Sequence, residues 1–214
     1  ALINSLYMTA EDAGIDILYE TEAIDLDMHN GLFRYAVARR NGQDHIVKAR
    51  TMVAAAGGFE ANIEWLRESW GAAADNFRIR GTPYNRGSLL KVMLSKGVKQ
   101  IGEPDQCHAV AIDARAPKFD GGIATRLDCI VFGIVVNSRA KRFYDEGEEF
   151  WPKRYAIWGR LVAAQPNQVA YAIIESSATD LFMPSISPAI EADTLEELAM
   201  LIDLDPEALR LTIN

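Results

Sequence analysis

Thr51-Met52-Val53-Ala54-Ala55-Ala56-Gly57-Gly58-Phe59-Glu60-Ala61-Asn62, TMVAAAGGFEAN, is the stretch on which the fold turns. An apolar run ending in two glycines reads as a strand buried on both faces, as strands of parallel sheets are. The glycines let the backbone approach a ligand closely, because they carry no Cβ. A helix opening just afterwards would offer free N–H groups to an anion or a carbonyl. Taken alone, the same residues also describe a tight strand-to-helix turn.

Working downstream, Ile63, Leu66 and Trp70 recur at spacings of 3 and 4, so a helix is expected over 61–70. A Gly-, Pro- and Asn-rich loop follows over 71–87, and Ser88 is placed to cap a helix that Gly97 closes. Upstream, a helix is expected over 4–13 with its stop at Gly14, then an apolar strand over 15–19. Asn30-Gly31 and Asn41-Gly42 are two-residue hairpin signals that divide 23–49 into an antiparallel meander. Beyond residue 102 the reading is irregular to 122, with strands at 130–136 and 169–174 and a helix over 153–164 ended by Pro166. Thr194-Leu195-Glu196-Glu197 forms a capping box, and Asp205-Pro206 starts another helix. The expected fold class is α/β plus α+β.

The chain has 214 residues, 49% hydrophobic and 24% charged, and a net charge of −8. That composition is globular, and no run approaches the roughly 20 apolar residues of a membrane-spanning helix. Excess negative charge repels nucleic acid and anionic membranes, so neither is an expected partner. Cys107 and Cys129 form no CxxC motif and read as small reduced core residues, and the cytoplasm is the expected compartment. His29, His45 and His108 are scattered, so no metal site is expected, and His29 and His45 read as surface residues. Trp65, Trp70, Trp151 and Trp158 read as core residues rather than as ligand-stacking platforms. Neither GxGxxG nor GxxxxGK[ST] occurs, which removes the primary dinucleotide fingerprint and the P-loop.

Several blocks, in order, carry a resemblance. ILYETEAIDL, then the meander, then VAAAGGFEANIEWL, then RGTPYNRG (80–87), Gln106-Cys107-His108 and GIVVNSRAKRFYDE (133–146) resemble the fumarate reductase and succinate dehydrogenase flavoprotein superfamily. NFRIRGTPYNRG, QCHAVAIDARAPKFDGG and EFWPKRYAIWGRLVAAQP are similar to its tricarballylate dehydrogenase group. The resemblance implies a partial FAD-binding domain with a β-meander over 1–108 and a capping domain of the fumarate reductase flavoprotein type over 109–214. It also implies an internal fragment, without the family's GxGxxG start and its Gly-rich closing segment.

The activity implied is oxidation of tricarballylate or a related polycarboxylate to an alkene, with FAD accepting hydride and a redox protein as possible partner. Arg binds carboxylates bidentately, so arginines are the expected substrate contacts. The resemblance puts the catalytic arginine at Arg154 (with Lys153 beside it), a substrate histidine at His108, and Arg126 where fumarate reductases carry a Thr-Glu pair. Arg115, Arg126 and Arg154 together are expected to favour an anionic substrate. Arg142 and Phe143 match an Arg-Phe pair with a supporting role. The implied FAD contacts are Ala23, Ala55, Ala56, Gly57, Gly58, Asn85, Gly87 and Ser88. A fumarate reductase-like or ketosteroid dehydrogenase-like flavoenzyme, and a folded fragment without cofactor, are the alternatives.

Overall fold

The computed structural model describes residues 2–120 and 125–214. The chain divides into two compact units, Ala1–Gly58 with Gly87–Ile101, and Phe59–Arg86 with Gly102–Asn214.

In the first unit, helix α1 (Leu2–Asp12) ends on Gly14, whose φ of +72° allows the Ile15 N–H to reach the Ala10 carbonyl at 3.0 Å. Three antiparallel strands follow, β1 (Thr21–His29), β2 (Leu32–Arg40) and β3 (Gln43–Lys48), in the order β1-β2-β3. Both Asn-Gly pairs take positive φ, +49° and +76° at the first, +51° and +74° at the second, as a type I′ hairpin requires. Leu26 and Ala38 are buried on this sheet. Helix α3 (Ser88–Ser95) belongs to the same unit and is tied to β1 by Lys96 Nζ and Asp25 Oδ1 at 3.0 Å. Gly97 closes it: its N–H meets Leu94 O at 3.0 Å and the Val98 N–H meets Met93 O at 3.1 Å, the paired bonds of a Schellman cap.

Three expectations fail here. Residues 51–56 are not a buried strand: the segment is irregular, and Val53 is 89% exposed. A strand needs a ladder, and among the described residues no strand pairs with this one. Residues 15–19 are likewise irregular, with Ile15 and Leu18 exposed. Ser88 is the first residue of α3 rather than its cap; Gly87, at φ 72° and ψ 24°, holds the cap position without a side-chain bond.

The second unit holds the larger core. Helix α2 (Ile63–Trp70) is capped by Asn62, whose Oδ1 accepts the Trp65 N–H at 3.2 Å while its Nδ2 donates to Arg86 O at 3.1 Å. Leu66 packs with Ala74 and Ile79. Strand β4 (Gly133–Asn137) pairs antiparallel with β5 (Ala170–Ile174). One side of this ribbon carries Val136 against α6 (Leu195–Leu201) and α7 (Pro206–Ile213), where Ala199 and Leu209 are fully buried. Val135 belongs to a separate cluster with Ile130 and Trp158. The alternation of β4 thus feeds two cores. Both helix caps read from the sequence form, Thr194 Oγ1 accepting from Glu197 N at 3.1 Å and Asp205 Oδ1 from Glu207 N at 2.9 Å.

The single helix expected over 153–164 is instead α4 (Trp151–Arg154), a 3-10 turn (Tyr155–Ile157) and α5 (Trp158–Ala163). The break has a cause. Ala156 O accepts the Ala109 N–H at 2.9 Å, and the Gly159 N–H goes to Ala109 O at 2.8 Å, so groups that would serve the helix are turned to a neighbouring segment. Among the described residues no helix is long and apolar enough to cross a membrane.

The cysteines separate. Cys129 is buried, and burial pushes its thiol up to about 11; Cys107 is exposed and not a core residue, although partial desolvation raises its thiol as well. A thiol reagent at pH 8 is expected to label Cys107 in the native protein and Cys129 only upon unfolding, because the thiolate is the reactive form. Two rapidly labelled thiols would contradict this burial.

Candidate active site

Within the second unit, residues 111–113 run antiparallel to 125–127. Asp113 N donates to Thr125 O at 2.9 Å, and Leu127 N to Ala111 O at 3.0 Å, with Ile112 opposite Arg126. This ladder holds Arg126. His108 sits one residue before Ala109, which the two bonds described above clamp to the 156–159 turn. The same break in the helix presents Tyr155. Its ring lies 5.2 Å from the Arg126 Cζ and meets the His108 imidazole edge-on at 5.1 Å and 72°. Three chain segments therefore bring His108, Arg126 and Tyr155 together. A guanidinium over an aromatic face is held by the ring quadrupole, at about 0.5–2 kcal/mol.

Arg126 is also an ion-pair partner. Its Nη2 lies 2.6 Å from Asp128 Oδ2, with the side chains 23% and 15% exposed. The Asp128 hydrogen bond, opposed by burial, raises the Arg126 pKa, so the guanidinium stays charged. Arg126 Nε and Asp128 Oδ1 are both buried without a hydrogen-bond partner among the described residues.

Arg154 follows a different course. It pairs with Glu148, and its Nη2 donates to the Tyr144 hydroxyl at 2.9 Å. Lys153 extends to Glu149 at 3.6 Å and is 68% exposed. Arg115 chelates Asp113 through Nε and Nη2 at 2.8 and 2.7 Å and donates to Pro188 O at 2.8 Å. Each of Arg115, Arg126 and Arg154 is thus matched with a carboxylate of the chain itself. Tyr155 escaped the sequence reading because an aromatic ring beside a cation has no local signature; only its place next to Arg154 hinted at it.

Arg115 and Ser185 hold the Asp113 carboxyl down to about 2. A depressed folded pKa contributes stability that is fully present above about 4 and is lost as pH falls through about 2. Arg115 is half exposed, so solvent screening limits the contribution to roughly 1–2 kcal/mol. Asp113→Asn is expected to lower stability at pH 7 and to differ little from the parent at pH 2. Denaturant titrations at the two pH values check this, and a pH-independent difference would refute it.

The Arg142-Phe143 pair makes scaffolding contacts in this structure. Glu146, 6% exposed, accepts the Val135 N–H at 2.7 Å and the Arg142 Nε–H at 2.8 Å, which ties 142–146 to the middle of β4. Phe143 meets Trp158 edge-on at 6.1 Å. Of the four tryptophans, Trp158 is a true core residue at 2% exposure.

The residues that could hold a dinucleotide fall in both units and are taken separately. In the first, Ala55, Ala56 and Gly57 are exposed, and Gly57 has φ +75°. Ala23 lies on β1 beside an irregularity in register, and Gly87 and Ser88 form the start of α3. An exposed backbone with a left-handed glycine, and a helix start lacking a side-chain cap, suit phosphate or carbonyl contacts, so these residues fit such a group. In the second unit, Asn85 donates to Glu60 Oε1 at 2.7 Å and Ala61 N donates to Asn85 O at 3.0 Å. Asn85 therefore braces the residues just after the double glycine.

The second unit also contains a cavity of about 720 Å3. Trp70, Phe77, Ile79, Val135 and Trp158 give it a mainly apolar wall, and His108 stands on its border.

Comparison with known proteins fits this arrangement. A family described as an FAD binding domain matches residues 1–213, and the chain belongs to that family. FAD is accordingly the cofactor that goes with this domain. Among solved structures, the 3-ketosteroid Δ1-dehydrogenase of Sterolibacterium denitrificans matches 97% of this chain and 40% of its own, at 22% identity and a TM-score of 0.71. The 3-ketosteroid-Δ4-(5α)-dehydrogenase of Rhodococcus jostii RHA1 matches 97% and 41%, at 22% identity and 0.67. A flavocytochrome c3 fumarate reductase in its open conformation matches 98% and 37%, at 18% identity and 0.62. The fold is that of FAD-dependent oxidoreductases, and the chain spans about two fifths of the length of these structures.

Proposed function

We propose that the chain is part of a flavin-dependent oxidoreductase that oxidises tricarballylate or a related polycarboxylate to the alkene. The observation that supports this most is the gathering of His108 and Arg126 around Tyr155, which puts a guanidinium and an imidazole donor where carboxylates could be bound. FAD, when bound, supplies the hydride acceptor. Ala23, Ala55, Ala56, Gly57, Gly58, Gly87 and Ser88 are the contacts proposed for it in the first unit, and Asn85 in the second.

Arg126 would bind one carboxylate and His108 another. Arg154 would bind a third; it cannot release its own proton at working pH, so any relay there runs through the Tyr144 hydroxyl and Glu148 beside it. In this reading residues 1–108 belong to the FAD-binding domain and 109–214 to a capping domain, the parent passes electrons to a redox protein, and the compartment is cytoplasmic.

The apolar wall of the 720 Å3 cavity favours a second reading, a dehydrogenase of a bulky apolar substrate, as in the two ketosteroid dehydrogenases. The deciding experiment is the visible spectrum of the purified chain with and without FAD, followed by turnover with tricarballylate, succinate, fumarate and a 3-ketosteroid in the flavin-loaded protein. A bound flavin with tricarballylate turnover supports the first reading. Steroid turnover alone overturns it in favour of the second. A chain that binds no flavin in either condition is an inert folded piece of its parent.

A further inference from the structure

Arg126 is the cation best placed in the His108–Tyr155 cluster, yet it is already spoken for. Asp128, two residues on, holds its Nη2 at 2.6 Å. The hold is half of what an arginine–carboxylate pair can make. The strongest form has two parallel bonds. Here Arg126 Nε and Asp128 Oδ1 both remain buried and unbonded among the described residues. The guanidinium, by contrast, has a second anchor that owes nothing to Asp128, the Tyr155 ring at 5.2 Å, and the Arg126 backbone is itself held opposite Ile112.

We propose that Asp128 sets the anion affinity of this site: its carboxylate occupies the guanidinium edge of Arg126 until a substrate carboxylate displaces it, while Tyr155 keeps the guanidinium in place. The inference rests on the polycarboxylate reading above and specifies how that site is controlled. A tethered carboxylate two residues away acts at high effective concentration, so it competes with any free anion. A neutralised pair also attracts a distant anion less than a lone cation does. The side chain of Arg126 is 23% exposed, so solvent and small solutes reach part of it. One carboxylate is exchanged for another, so a monoanion gains little, whereas a substrate with two or three carboxylates gains a further contact at His108, which shares the Tyr155 ring. Asp128 thereby favours polycarboxylates over acetate-like anions.

The test is calorimetric titration of the chain with tricarballylate and with acetate at two salt concentrations. Asp128→Asn and Asp128→Ser are two neutral variants, each checked for cooperative unfolding, so that one misfolding does not end the experiment. Both are expected to bind tricarballylate at least tenfold tighter than the parent, with a steeper salt dependence, and to lose part of the preference over acetate. Asp128→Glu, which keeps the charge, is expected to bind no tighter than the parent. Equal or weaker binding by the folded neutral variants overturns the proposal and makes Asp128 a support for Arg126. Tighter binding without turnover in the flavin-loaded protein leaves the proposal standing and removes the oxidoreductase reading. No binding of tricarballylate by any of the four proteins overturns both.

Discussion

Gly159→Ala is expected to dismantle the histidine side of the site. A Cβ at this position would lie 2.7 Å from the Ala109 carbonyl carbon, 2.8 Å from its Cβ and 2.9 Å from its oxygen. Two of the three obstacles are backbone, so no side chain can rotate out of the way. The Ala109 segment or α5 must move, and with it go the bonds from Ala109 N to Ala156 O and from Gly159 N to Ala109 O. Overpacking of this kind costs about 1–3 kcal/mol and sometimes more. His108 is the next residue, so its edge contact with Tyr155 shifts as well. Denaturant unfolding should report the loss of stability, and the ring-current shift of the His108 protons should report the displacement. Ala109→Gly on the same background removes only the Cβ obstacle and is expected to restore stability in part. A Gly159→Ala protein with unchanged stability and unchanged His108 signals would show that the close approach is not real.

Glu146→Ala is expected to be the most damaging single change outside the glycines. It strips a buried acceptor from the Val135 N–H in the middle of β4 and leaves Arg142 without its closest partner. Arg142 is half exposed, so the loss is mainly that of the buried acceptor, about 2–4 kcal/mol with the small ion-pair contribution included. Glu146→Gln keeps an oxygen for Val135 and loses only the charge, so its cost should be smaller, about 1–3 kcal/mol. The ordering, rather than either value alone, is the measurement: equilibrium unfolding in which Gln falls between parent and Ala. Equal losses would mean that the charge on Glu146 is what matters and the bond to β4 is not.

The parts of the fold that were legible in the sequence are those decided by a few adjacent residues. Asn-Gly turns, Gly14 and Gly97 stops, and the Thr194 and Asp205 caps act within one turn of chain, and all form. What could not be read depends on partners far away. TMVAAA has strand composition and adopts none, because composition does not supply the neighbouring strand that would take its hydrogen bonds. The helix over 153–164 breaks because Ala109, some fifty residues earlier in the chain, takes the bonds at 156 and 159. That same long-range contact turns Tyr155 toward His108 and Arg126, so the feature that defeated the helix reading is the one that builds the cluster. The order of segments pointed to His108 and Arg126. It could not reveal that each arginine would meet a carboxylate of its own chain, since Glu148, Asp128 and Asp113 look from the sequence like ordinary surface acids.

The outer strand of the meander bears on how this chain behaves in a crowded solution. β3 is exposed at every position from Gln43 to Lys48 and has no neighbour on its far side among the described residues. Such an edge is a template on which a second molecule can add a strand and start a fibre. Here Asp44, locked to Arg39, and the Lys48 ammonium stand along a run that otherwise offers only Ile46 and Val47 as apolar purchase. A newcomer would have to bury those charges to register with the ladder. The strand most open to polymerisation is the one whose side chains make polymerisation costly.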